Sequence, residues 1–389
     1  MKRKKNIKSV IEFLSVYMFF TFGCIFDLLS YWGVNISLIR KCHIIVIIKF
    51  IIWALLIVIH FKRKIDMKVI CFVNGYLLLL YSSFLFGSEK IVYLQEMFRF
   101  LILYIIPLII ILYCIAEPEI ILKYIRYSGY IFLIKTWLVP FSPAYGSTVD
   151  YMRFAYSSIV VWSVVTQDAF KTKRLISVLF SIITIIIYFL YASRGASLAV
   201  IAYITYCIYS YTDMKGKVKV FLMLAVCCWG GLLFNNVILL TLHHFGTYSI
   251  TRIFNGSYFS SDSRLAIYNN MLDAIKKNPF GYGIGEDRVI GGGRGFYAHN
   301  VFLELSVAFG VFFTMLFMIL CIVWMYRMLF RCKILIYRDL FSVFAIPSAI
   351  ILNLSSSLFI EYYVFAAVIC CFLYYNALQN QRHSSCQRY

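Results

Sequence analysis

Charged side chains are scarce in this sequence: Asp, Glu, Lys and Arg make up 14% of its 389 residues, against about a quarter in a soluble domain. With 62% apolar residues and a mean hydropathy of +0.83, the composition excludes an ordinary soluble globule and reads as an integral membrane protein. Acids are scarcer still, 17 against 37 Lys and Arg, which leaves a net charge of +20. Period-two alternation is lacking as well. Runs such as Ile182-Ile183-Thr184-Ile185-Ile186-Ile187 are solidly apolar, which excludes a membrane β-barrel and favours helices. The 12 cysteines include no C-x-x-C pair. Cys227-Cys228 and Cys370-Cys371 sit inside apolar runs, so no disulfide framework or metal spacing is implied and the cysteines read as small core residues. There is no repeat with a period of about 20–50 residues and no low-complexity linker, which excludes a solenoid.

What the chain has in quantity is long apolar runs. A spanning helix needs about 20 predominantly apolar residues. Runs that qualify are 9–30, 42–61, 69–87, 97–116, 124–141, 154–170, 175–192, 196–211, 219–242, 300–325, 340–358 and 361–378. Short basic connections separate them at 61–68, 116–127, 170–174, 211–219 and 326–338, and basic residues also fill 1–8 and the tail from 379. With these on the cytoplasmic side, the chain obeys the positive-inside rule. Its basicity is therefore a topology signal, helped by membrane lipids with anionic headgroups, and not a nucleic-acid footprint. Met1-Lys2-Arg3-Lys4-Lys5 before an apolar run resembles a signal peptide. The run is long, lacks a small-residue cleavage site and is followed by further spans, so it reads as a retained first helix. The expected fold is an all-α polytopic membrane protein of about twelve transmembrane helices with one long external loop carrying short helices. By residue this gives a transmembrane bundle over 1–242, an external loop over 243–299, and a second bundle with a short cytoplasmic tail over 300–389. An even number of spans puts both termini inside and the loop outside.

The loop is the one long polar interruption. Asp262 or Ser263 can cap a helix starting at Arg264, and Leu265, Tyr268, Leu272 and Ile275 recur at helical spacing, as in an amphipathic helix at the interface. Lys276 and Lys277 suit its C-terminal dipole and Asn278-Pro279 stops it. Gly281, Gly283 and Gly285 follow, and then the glycine run 291–295 around Arg294, an order that suits a lid or substrate-gripping element.

Several residues can carry chemistry. Arg194, between two spans at the outer surface, is either a bidentate anion ligand or a snorkelling turn residue. Arg264 lies at a helix N-terminus, where side chain and free N–H groups can address one anion; the alternative is a solvated helix face. Arg153 closes another outer loop. His299 has the ordinary pKa of a general base, about 6.5, at the start of a spanning helix. Asn300 and Glu304 are four apart and share that helix's face, as substrate contacts or as a capping Asn with a hydrogen-bonded buried Glu. Tyr282 and Tyr297 can stack on sugar faces, and Arg294 is a further substrate-binding candidate. The pair His243-His244 has no third ligand at metal spacing. Lys49, Lys135, Asp27 and Asp168 fall in or beside spans, where pairing between helices explains them.

Three segments together resemble a known family: Ser193-Arg194-Gly195-Ala196 opening a helix; Ser263-Arg264 through Asn278-Pro279-Phe280-Gly281-Tyr282-Gly283-Ile284-Gly285; and Ala298-His299-Asn300-Val301-Phe302-Leu303-Glu304 followed by Phe309-Gly310-Val311. In this order and spacing they resemble the O-antigen ligase/polymerase family of bacterial envelope proteins, specifically over about 185–315. The resemblance implies a multi-spanning, inverting glycosyltransferase of the inner membrane that uses undecaprenyl-diphosphate-linked oligosaccharide, with no metal and no cofactor. It implies that Arg194 and Arg264 hold the diphosphate, that His299 acts near the acceptor hydroxyl, and that a chain-length regulator protein is a partner. Arg153 matches more loosely. The family often has a second Glu just before the glycine of the histidine helix. Here Ser306-Val307-Ala308-Phe309-Gly310 leaves Glu304 as the only acid.

This chemistry agrees with the residue types. A diphosphate is already a good leaving group, so arginines need only neutralise its developing charge while His299 takes the proton of the attacking hydroxyl. The expected function is polymerisation of lipid-linked repeats into O-antigen or capsular polysaccharide. A ligase that transfers finished O-antigen to lipid A–core would use the same residues. A lipid-linked oligosaccharide flippase is allowed by the spans and intramembrane charges, but the halves are not repeated and the polar residues gather on one face.

Overall fold

The computed structural model describes residues 2–22, 28–29, 32, 44–60, 67–86, 90–139, 151–190, 194–213, 215–216, 218–219, 222, 225–226, 262–291, 298–354, 357–359 and 361–386. Every regular element among them is helical. In chain order these are α1 (Lys2–Tyr17, continued by a π-helical turn, Met18–Phe22), α2 (Ile44–Ile59) and α3 (Met67–Phe86). Next come α4 (Lys90–Phe100), a π-helical turn (Leu101–Ile105) and α5 (Ile106–Ile115), then α6 (Pro118–Leu138), α7 (Tyr151–Thr172), α8 (Leu175–Leu190) and α9 (Arg194–Tyr211). The loop contributes α10 (Asp262–Lys277) and α11 (Glu286–Ile290). The C-terminal helices are α12 (Val301–Phe309), α13 (Val311–Phe330), α14 (Leu335–Leu354) and α15 (Tyr362–Cys386).

Four described helical stretches are long and apolar enough to cross a membrane: Gln95–Ile115, Val311–Phe330, Leu335–Leu354 and Tyr362–Gln381. Shorter apolar stretches cover Val46–Ile59, Met67–Leu78, Leu175–Tyr188 and Gly195–Tyr211. Of the about twelve expected spans, four meet the criteria of length and hydropathy among the described residues. α6 has the length but carries Glu119, Lys123, Arg126 and Lys135, while α2, α8 and α9 are apolar but short. The run 219–242 lies mostly outside the described residues, as do His243 and His244.

The chain divides into two compact units, one of 1–56 with 119–260 and the other of 57–118 with 261–389. In the first, α7 packs against α8 and α9, with Trp162, Tyr188 and Tyr203 fully buried between them. Polar groups there are matched within the bundle: Trp162 Nε1 donates to the Ser181 carbonyl at 3.2 Å, and the Ser158 and Tyr188 hydroxyls share a hydrogen bond of 2.8 Å. Two of the charged residues expected to be held between helices have partners. Lys135 Nζ donates to the Thr21 carbonyl at 2.7 Å, and buried Asp168 is bonded to Arg126 with Arg174 at 3.9 Å. Asp27 lies outside the described residues. Cys207 is buried in this unit and Cys370 and Cys371 in the other, as small core side chains.

In the second unit α14 and α15 pair closely, and α10, α11 and α12 build a small platform beside them. The expected span 300–325 is two helices, because Gly310 breaks it at φ +89°, ψ 155°. That region of backbone space is essentially reserved for glycine. The membrane-length helix therefore starts at Val311, and α12 stands outside it. Most of α13 is exposed, with Phe312, Leu316 and Ile319 turned outward, as suits a face presented to lipid tails.

Candidate functional site

The platform is held by one apolar cluster. Ile267 and Met271 of α10 pack on Ala298 and on Leu303 and Val307 of α12, with Tyr268, Ile275, Tyr282 and Phe302 against them. Positions 267, 271 and 274 make the buried stripe of α10. Leu265 and Leu272, seven apart, are 56% and 44% exposed, and form an apolar outer edge that suits a membrane interface.

Over 278–285 the glycine motif after α10 forms a bracket. Asn278 Oδ1 accepts from Phe280 N at 3.2 Å and its Nδ2 donates to the Gly281 carbonyl at 2.7 Å, which closes the turn. The chain then pairs edge-on with the end of α12: Tyr282 N donates to the Val307 carbonyl at 2.7 Å, Gly283 N to Ala308 at 3.1 Å, and Val311 N to Pro279 at 2.9 Å. Gly281 and Gly310 face each other across this pairing, both at positive φ. A Cβ on Gly281 would lie 2.7 Å from Gly310 N, and one on Gly310 would lie 2.6 Å from the Pro279 carbonyl oxygen. The two distant motifs N-P-F-G and F-G are thus the two halves of one close backbone contact. Tyr282 takes part through its hydroxyl, which donates to the Ala274 carbonyl of α10 at 2.9 Å.

His299 projects from the corner between the loop and α12. Its φ of +50° is a left-handed conformation that few residues other than glycine adopt. The corner is fixed on both sides. Buried Asp287 of α11 accepts from Ala298 N at 3.3 Å, and Asn300 caps α12, its Oδ1 accepting from Leu303 N at 3.1 Å. Of the two readings of Asn300, the structure supports the cap. Asn300→Ala should cost about 1 kcal/mol of stability while Asn300→Asp costs little; thermal unfolding of the purified variants checks this, and equal melting of Asn300→Ala and wild type would contradict it.

Arg264 lies one turn before Ile267 on the face of α10 that meets Ala298, half-buried, and its Nη1 donates to the Leu354 carbonyl at 3.2 Å. Burial, and then the Arg264 charge, push the His299 pKa down to about 4. His299 is therefore a neutral imidazole near pH 7, able to accept a proton, with a guanidinium at hand. Glu304 is 2% exposed: Ser357 Oγ donates to its Oε1, and Leu358 N to its Oε2 at 3.0 Å. Both carboxyl oxygens are thus committed to the connection between α14 and α15, matching the reading of a hydrogen-bonded buried Glu. Burial raises the pKa of Glu304 and of Asp287; the Asp287 charge raises Glu304 further, and Arg288 and the Ala298 N–H oppose the rise at Asp287. Arg288 pairs with Glu96 at 2.9 Å.

Arg194 and Arg153 belong to the other compact unit, as the first residue of α9 and a first-turn residue of α7; their side chains lie outside the described residues, as do Arg294 and Tyr297 entirely. The motif around Arg194 has a packing reason of its own. Ala196 is fully buried, and a Cβ on Gly195 would stand 2.3 Å from the Tyr156 hydroxyl, so only glycine lets that ring approach the start of α9. Asp287, Ser357 and the Leu354 carbonyl were not legible as site residues. Their signal is a buried contact between segments about 11 to 90 residues apart in sequence.

These features define an all-helical membrane protein with a polar platform beside its C-terminal spans. Residues 179–318 match the family model described as O-Antigen ligase. That match supports the O-antigen ligase/polymerase family, a family of membrane glycosyltransferase-like enzymes, and it includes Arg194, Arg264, Tyr282, Arg294, His299, Asn300 and Glu304 but not Arg153. No curated protein and no solved structure matches the chain.

Proposed function

We propose that this protein is a polymerase of the bacterial inner membrane. It joins undecaprenyl-diphosphate-linked oligosaccharide repeats into O-antigen or capsular polysaccharide on the outer face, with inversion and without a metal. The observation that carries the reading is that α10, which bears Arg264, packs on Ala298 beside His299, near enough for the Arg264 charge to lower the His299 pKa. In the proposed step the acceptor sugar hydroxyl attacks the anomeric carbon of the lipid-linked donor. Its proton passes to His299 as the new glycosidic bond forms, and the bond to the diphosphate breaks. The leaving undecaprenyl diphosphate gains negative charge, which Arg264 stabilises as a bidentate ligand. Arg194 is proposed as a further diphosphate ligand, and Arg153 as a looser one, on residue type and resemblance alone. Arg294 keeps its proposed place as a substrate contact in the loop. A chain-length regulator is proposed as a partner on the same resemblance.

A glycan gel of a deletion strain tests the reading. Loss of this protein should leave lipopolysaccharide capped by a single repeat, or a capsule without long chains. Bare core with long lipid-linked chains accumulating would establish the ligase instead, in keeping with the description of the matched family.

A further inference from the structure

The connection between α14 and α15 lies outside the segment that matches the family, and no motif reading points to it. It is nevertheless tied to the platform and its neighbours at three places. The Leu354 carbonyl accepts from Arg264 of α10. Ser357 and Leu358 N hold Glu304 of α12. The Phe359 carbonyl accepts from Tyr76 of α3 at 2.9 Å, and the Phe359 ring meets Phe309 at 6.4 Å between centroids. Ser357 is 1% exposed and Glu304 2%, so this clamp is closed to solvent. A buried carboxyl group whose two oxygens both accept hydrogen bonds from one short segment fixes that segment firmly, because losing either donor leaves a buried acceptor unsatisfied.

We infer that the Glu304–Ser357 clamp is a positioning device: it fixes the α14–α15 connection so that the Leu354 carbonyl holds the Arg264 guanidinium toward His299. A backbone carbonyl is a suitable anchor for this task. It accepts one guanidinium N–H without cancelling the positive charge, which leaves the other N–H groups and the whole charge for an anion. A carboxylate in the same place would neutralise the arginine and compete with a diphosphate. The site then has two supports for its two groups. Asp287 and Asn300 fix the backbone on either side of His299, and the connection fixes Arg264. Ser357 and Glu304 are positioning residues in this scheme and touch no substrate. The inference rests on Arg264 and His299 being the acting pair of the proposed function.

The test reads the charge of His299 directly and needs no substrate. The charged and titratable groups on the elements packed around it are Asp262, Arg264, Tyr268, Asp273, Lys276 and Lys277 of α10, Glu286, Asp287 and Arg288 of α11, and Glu304 of α12. Of these, Arg264 is the one that lowers its pKa. The full-length protein in lipid nanodiscs, with ring-labelled histidine, is titrated by NMR, and His299→Asn identifies the signal among the six histidines. In wild type His299 should titrate near 4, and in Arg264→Gln it should move up toward the ordinary 6.5. Ser357→Ala should move it in the same direction, and Ser357→Thr, which restores a hydroxyl, should return it toward wild type. Glu304→Gln keeps the size of the side chain but replaces one acceptor oxygen with an NH2 donor, so it retains the carbonyl that can accept from Leu358 N and should give a smaller upward move, a readout that survives if Ser357→Ala fails to fold. A wild-type titration in Ser357→Ala and Glu304→Gln, or no shift in Arg264→Gln, would overturn the proposal. The glycan gel decides the enzymatic reading separately, so either can fail without the other.

Discussion

His299→Ala lowers chain extension by about 10²–10⁴-fold, the usual contribution of a positioned general base, while protein level and melting temperature stay close to wild type. The side chain is half-buried and lies at a corner fixed by its neighbours, Ala298 bonded to Asp287 and Asn300 capping α12, so its removal leaves both supports in place. Polymer length on a glycan gel, and turnover of a lipid-linked repeat by the purified protein, measure the effect. Wild-type chain lengths would remove His299 from the mechanism. The pH dependence carries a further signature. The base must be neutral to act, so activity falls as the pH drops through its pKa. With that pKa pushed down to about 4 by burial and Arg264, the acid limb should sit near 4 instead of near 6.5. In Arg264→Gln the limb moves to higher pH, because the like charge is gone while the burial remains. Turnover falls as well, through the loss of diphosphate stabilisation.

Gly310→Ala should be the most damaging single methyl in the platform. At φ +89° and ψ 155° an L-residue is strained by about 1–3 kcal/mol. The added Cβ would also stand 2.6 Å from the Pro279 carbonyl and 2.8 Å from the Phe280 Cα, both main-chain atoms that cannot rotate away. Relief requires the 278–283 bracket to separate from α12, with loss of the bonds from Tyr282 N, Gly283 N and Val311 N. We expect a total cost of about 3–5 kcal/mol, in the range of severe single substitutions. It should appear as a large drop in melting temperature and as proteolytic cutting near Phe280, which is already 79% exposed. Gly281→Ala, pressing on the same contact from the other side, should behave alike. The double variant should cost less than the sum, because one separation relieves both clashes. Wild-type stability in Gly310→Ala would show that the bracket is dispensable.

Both expected results depend on residues visible in the sequence for reasons that were only partly visible there. The apolar runs foretold the helices closely, for instance 175–192 against Leu175–Leu190 and 154–170 against Tyr151–Thr172, because apolar length and helix formation are properties of contiguous chain. The motifs around Arg264 and His299 were legible in the same way, through residue type and spacing. Other points were not. Period alone grouped Leu265, Tyr268, Leu272 and Ile275 on one apolar face, whereas Leu265 and Leu272 are exposed and Tyr268 and Ile275 pack against the buried Ile267 and Met271: several registers of an apolar-rich helix look alike until a partner surface chooses one. The run 300–325 read as one span because hydropathy does not register the backbone angles of a single glycine.

By itself, then, the sequence determined the class of this protein: helical, membrane-spanning and basic on its connections, with Arg264 and His299 as candidate site residues outside the apolar runs. These follow from transfer energies and side-chain chemistry, which each residue carries wherever it sits. Only the tertiary structure decided that Gly281 and Gly310 form one contact, that the Tyr282 hydroxyl bonds Ala274 and Asn300 caps α12, and that Glu304 faces Ser357 in the α14–α15 connection. Those are pairings between residues 3 to 53 positions apart, and the energy of a pairing exists only when both partners have been brought into contact.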